Sequence, residues 1–163
     1  LRLLILLLLS SLSLADGVAL HNDIKNNLRY IAYSHSLIKG DLYGVPILWA
    51  EDKISDYTVR RLKDNINKSR PNGLNNRSFP SGHTATAFQP AFFIMHRYGF
   101  KEAIPYLLAA SFVGYVRVKS KYHYAEDVLG SVLITYATSF AVTKSFTLSS
   151  DGKSHRLEFN KAF

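Results

Sequence analysis

Three uncharged stretches crowd the second half of the chain: Thr84 to Met95, Ala103 to Val116 and Val128 to Thr143, of 12, 14 and 16 residues. In the longest, Val128, Leu129, Val132, Leu133, Tyr136, Ala137, Phe140 and Ala141 recur at helical spacing, while Ser131, Thr135, Thr138 and Ser139 lie to one side. That periodicity predicts a helix with its apolar stripe turned into a soluble bundle. At ~1.5 Å per residue the run reaches about 24 Å, short of the ~30 Å hydrocarbon core of a bilayer.

Proline and glycine punctuate the rest. Two helices are predicted between Asp23 and Ser69, broken at Lys39-Gly40 and Gly44-Val45-Pro46, the second running from about Pro46 to about Ser69 because Arg70 precedes Pro71. A polar loop follows. Further helices are predicted over about Ser81 to Tyr98, kinked by Pro90, about Lys101 to Val116, and Tyr122 or His123 to Lys144. After Ser145, two weakly alternating stretches around Asp151-Gly152 allow a small C-terminal β-hairpin. The expected fold is all-α, a compact helical bundle of about five helices, with no repeat and no second domain.

Residues 1–15, LRLLILLLLSSLSLA, combine one Arg, an apolar run and small residues at Ser13 and Ala15, the pattern of a secretory signal peptide cleaved before Asp16. Residues 16–163 then form the single domain. Export is expected, to a periplasm if the source is bacterial, with an uncleaved membrane anchor as the alternative. The chain has no Cys, which removes thiolate nucleophiles and Cys-based metal sites. Its net charge of +8 points to an anionic partner. No aromatic-basic platform or groove-reading motif accompanies the charge, so nucleic acid is not the expected partner.

Three clusters carry chemistry. Lys63 and Arg70 are seven apart, so on a continuous helix they would emerge within about 20° of each other and converge on one anion. The alternative is a solvated basic helix end. Pro80-Ser81-Gly82-His83 precedes an apolar run, which makes Ser81 an N-cap, with Thr84 as its rival, and aims the Gly82 and His83 amides outward as an anion site. Arg117, His123 and Asp127 form the third cluster. If a helix starts at His123, Asp127 shares its face and can accept a hydrogen bond from one ring nitrogen, leaving the other for the pocket.

With Pro71 and Pro80 these ten positions, in this order and spacing, resemble the signature of the type 2 phosphatidic acid phosphatase family, which includes bacterial non-specific acid phosphatases and vanadium haloperoxidases. The resemblance spans residues 63–127. One position departs from it: Val116 stands where the family usually has Ser before the Arg.

The resemblance implies an all-α phosphatase without metal or cofactor. Its implied roles are His123 as nucleophile forming a phosphohistidine, Asp127 as its orienter, and His83 as general acid and base. Lys63, Arg70, Ser81, Gly82 and Arg117 would bind the phosphate. The implied substrates are phosphorylated small molecules, phospholipids or isoprenoid diphosphates, with peripheral membrane contact open. A vanadate-dependent peroxidase and a non-catalytic phosphate-binding module are the alternatives. His21, His35, His96 and His155 match no family position and are read as surface or packing residues.

Overall fold

A computed structural model describes residues 17–150 and 155–159. The expected signal peptide lies outside the described residues, as does the turn at Asp151-Gly152. Among the described residues five helices follow in order: α1 (Gly17–Ile38), α2 (Gly44–Asn65), α3 (Gly82–Tyr98), α4 (Phe100–Lys119) and α5 (Ala125–Ser145). Two antiparallel strands, β1 (Phe146–Ser150) and β2 (His155–Phe159), pair Phe146 with Phe159 and Ser150 with His155. The all-α expectation holds, with this hairpin as its one β element among the described residues.

The central helix is α3, which packs against all four others. Its Ala87, Phe88, Ala91, Phe92, Phe93 and Ile94 are buried together with Leu28 and Ala32 of α1, Ile47 and Leu48 of α2, and Ala103, Tyr106, Ala110 and Val113 of α4. Burying each large side chain contributes about 1.5–3 kcal/mol. Pro90 lies within α3, whose helical path continues through it to Tyr98. Among the described residues no helix is long and apolar enough to cross a membrane.

The last helix reverses the expected orientation. In α5 the hydroxyl side faces inward: Ser131, Thr135, Ser139 and Thr143 are buried. The apolar stripe faces out, with Leu129 61% and Leu133 69% exposed, and Tyr136 and Phe140 exposed beside them. The hydroxyls can be buried because each finds a partner. Ser131 and Thr135 donate to carbonyls four residues back, Ser131 also reaches the carbonyl of Ser81, Ser139 meets His96, and Thr143 bonds Glu51. Satisfied polar groups cost little in a core, and small side chains let α5 approach α3 closely. Phe100, Ile104, Leu108, Phe112 and Tyr115 form a second outward apolar stripe, on α4.

Two helix boundaries also differ from expectation, and both bear on the site. α2 stops at Asn65, four residues before Ser69, because residues 66–70 turn aside: Lys68 bridges Arg77, and the Arg70 amide donates to the Asn75 carbonyl. α5 begins at Ala125, after His123.

Candidate active site

The three clusters meet at one end of the bundle, where α2 and α4 finish and α3 and α5 begin. Arg70 is not on the helix that carries Lys63, so the seven-residue helical argument does not hold. The loop brings Arg70 to the same place. Its Nε donates to Asn75 Oδ1 at 2.9 Å, and its charge, with those of Lys63 and Arg117, bears on His123.

Lys63 occupies the last turn of α2, its Nζ donating to the Arg77 carbonyl at 3.0 Å. A Cβ placed on Gly82 would sit 3.6 Å from Lys63 Cε, so this cation lies along the first residue of α3. Burial, then the like charges of Arg70 and Arg77, push the Lys63 ammonium down to about 8. Such crowding of cations is the field an incoming anion relieves.

Ser81 stands at the N-cap position of α3, yet its hydroxyl makes no capping bond. Instead Ser81 Oγ accepts from Thr84 Oγ1 at 2.8 Å, and its backbone is pinned to α5: its amide donates to the Asp127 carbonyl and its carbonyl accepts from Ser131. The accepted bond leaves the Ser81 O–H free to donate, beside the amides of Gly82 and His83 at a helix N-terminus.

His123 is buried in the loop between α4 and α5. The expected bond from its ring to Asp127 is not made. Nδ1 donates to the Ser78 carbonyl at 2.7 Å, and Asp127 Oδ2 lies 3.8 Å away. The reason is the late start of α5. Asp127 sits in its first turn, where its carboxylate accepts from the Tyr124 amide at 2.9 Å, from Ser78 Oγ and from Lys68 Nζ at 2.6 Å. Those three donors hold its carboxyl below the usual range despite burial. Asp127 is therefore linked to His123 at one remove, through Ser78, which donates its hydroxyl to the carboxylate and accepts from Nδ1 at its carbonyl.

With Nδ1 committed, Nε2 of His123 carries the lone pair. Burial, then Lys63, Arg117 and Arg70, push this imidazole down to about 4. His83, at the second position of α3, is pushed down to about 3 by burial, Arg117, Lys25 and His21. Near neutral pH both rings are therefore neutral. Arg117, in the last turn of α4 beside buried Val116, stacks on Tyr122 at 4.2 Å and reaches His21 Nε2 at 3.3 Å.

The remaining histidines are not equivalent. His35 pairs with Glu102 and Tyr106, and His96 with Ser139, far from the clusters. The side chain of His155 lies outside the described residues. His21, expected at the surface or in packing, is buried against Arg117: a lone His on α1 with no motif around it carries no signal until Arg117 is seen against it.

The family model of the PAP2 superfamily matches residues 32–150. A curated relative, the lipid A 1-phosphatase of Porphyromonas gingivalis, is 32% identical over 96 residues, 57% of this chain and 20% of that protein. The chain spans about a fifth of that relative's length. No solved structure matches it. The family match takes in all three clusters and well over half the sequence, and on that ground the chain belongs to the PAP2 superfamily.

Proposed function

We propose that this protein is a phosphatase that removes phosphate from lipid phosphate esters or diphosphates through a phosphohistidine on His123. The observation that carries the reading is the Ser78 carbonyl accepting a hydrogen bond from Nδ1–H of His123, which leaves the lone pair on Nε2 among Lys63, Arg70 and Arg117.

In the first step Nε2 attacks phosphorus, and the bond from phosphorus to the leaving oxygen breaks as His83 delivers a proton to that oxygen. His83 alone is held neutral by burial and Arg117, so its proton arrives with the substrate as the phosphate monoanion, whose charge also raises the pKa of the ring. In the second step His83 takes a proton from water, the water oxygen attacks phosphorus, and the phosphorus–nitrogen bond breaks to release phosphate. The three cations, the Ser81 hydroxyl and the α3 amides stabilise the equatorial oxygens throughout.

A lipid substrate is supported by the named activity of the Porphyromonas relative and by the outward apolar stripes of α4 and α5, which suit a substrate presented with acyl chains. The test is phosphate release from p-nitrophenyl phosphate, phosphatidic acid and an isoprenoid diphosphate, with His123→Ala alongside. Turnover of the lipids that disappears in the variant is expected. Turnover of the soluble ester alone would overturn the lipid substrate, and binding without turnover would leave a phosphate-binding module.

A further inference from the structure

His21 lies on the first turns of α1, upstream of the segment the family model matches, and 96 positions from Arg117 in sequence. It is fully buried. Its Nε2 is 3.3 Å from Arg117 Nη1, and its ring centroid is 5.7 Å from that of His83. A guanidinium can only donate, so Nε2 must bear the lone pair and the ring must be the neutral tautomer protonated at Nδ1.

Arg117 is thereby held in two directions. Tyr122 covers its face at 4.2 Å, and His21 takes one nitrogen at its edge. Arg117 Nε is buried with no hydrogen-bond partner among the described residues. A donor left unmade in a buried place is costly, and here the anion the site is built for would repair it.

We infer that His21 is a positioning residue, whose Nε2 lone pair fixes the Arg117 fork at the angle that meets the transferring phosphoryl group, on the side where His83 faces the leaving oxygen. The inference rests on the phosphatase reading for its catalytic meaning, but it has a readout of its own in anion binding.

The test uses the full chain with His21→Ala, His21→Gln, His21→Phe, Arg117→Ala and the double variant His21→Ala/Arg117→Ala. Orthovanadate affinity and kcat/KM on an aryl phosphate are measured for each, with thermal melts as the folding control. Losing a hydrogen bond to a charged group corresponds to about tenfold or more. That loss is expected in both readouts for His21→Ala and His21→Phe. Gln can place its amide oxygen where Nε2 stood, so His21→Gln should recover most of it. In the Arg117→Ala background, His21→Ala should cost little more.

Wild-type behaviour in His21→Phe, or the same loss from His21→Ala whether or not Arg117 is present, would overturn the inference and leave His21 a packing residue. If His21→Ala fails to fold, the comparison of Gln with Phe decides. If the wild-type protein binds vanadate but turns over no ester, the phosphatase reading fails, and the vanadate affinities alone decide the role of His21.

Discussion

Ser78 stands between His123 and Asp127: its carbonyl accepts a hydrogen bond from His123 Nδ1 at 2.7 Å, and its hydroxyl donates to Asp127 Oδ2. One residue thus links the proposed nucleophile to a carboxylate that lies 3.8 Å from its ring. Asp127→Asn is expected to lower kcat by about 10–100-fold, the loss of a hydrogen bond to a charged group, and to lower the melting temperature, since Lys68, Ser78 and the Tyr124 amide all lose an anionic acceptor. His123→Ala should abolish turnover and, because the ring is buried, also lower the melting temperature. Equal kinetic effects of the two variants would mean that Asp127 acts on His123 directly.

The pH profile follows from which groups must carry a proton. His123 must be neutral to attack and titrates near 4, so kcat/KM should fall below that pH. On the alkaline side the substrate monoanion disappears above its second pKa, about 6, and Lys63 loses its charge near 8. An acid-leaning bell is expected from steady-state kinetics. A profile that rises steadily from pH 6 to 9 would remove the monoanion as the source of the His83 proton.

Lys63→Ala, Arg70→Ala and Arg117→Ala should each reduce kcat/KM by about 10²–10³, the cost of removing one preorganised donor from a developing charge. Melting should stay near wild type, because burial and like charges already push Lys63 and Arg117 down. An unaffected kcat/KM for any one of them would place that side chain outside the site.

Glu51 is buried in the core, accepting from Gln89 Nε2 at 2.8 Å and from Thr143, and burial pushes its carboxyl up to about 8. The sign is that of a raised acid. The folded state holds its proton while the unfolded state releases it above about 4.5, so stability drains away as pH rises from there through 8. Glu51→Gln keeps an acceptor for Gln89 without the ionisation. Its melting temperature relative to wild type should therefore rise between pH 5 and pH 8. A difference independent of pH would mean that the group does not titrate in this range.

Leu108 and Leu133 stand on the outward stripes of α4 and α5 and are 68% and 69% exposed. The double variant Leu108→Ser/Leu133→Ser should keep its fold, as surface substitutions alter stability by only about 0.5 kcal/mol each. Turnover of a soluble ester should be unchanged and turnover of phosphatidic acid in vesicles reduced. Undiminished vesicle turnover would dissociate the stripes from the substrate.

Most of the bundle was legible because helical periodicity and Pro and Gly breaks are local signals. The clusters were legible because their residue types and spacing are distinctive. What failed needed tertiary information. Periodicity in α5 reported two faces but not which one turns inward, and the hydroxyl face won because Ser81, His96 and Glu51 supply partners for it. Asp127 was expected on His123, whereas the start of α5 claims that carboxylate for the Tyr124 amide. Lys63 and Arg70 share a field without sharing a helix, since a loop bonded to Asn75 carries Arg70. His21 had no neighbouring motif to mark it.

The central claim is covalent catalysis on His123, and the direct measurement is intact mass after rapid mixing with a fast-leaving aryl phosphate and quenching into base, where phosphohistidine survives. The account predicts a single phosphoryl adduct that maps to the peptide holding His123, forms in a burst, and is absent from His123→Ala along with turnover. Steady turnover with no adduct on the wild-type protein, and comparable turnover in His123→Ala, would contradict it.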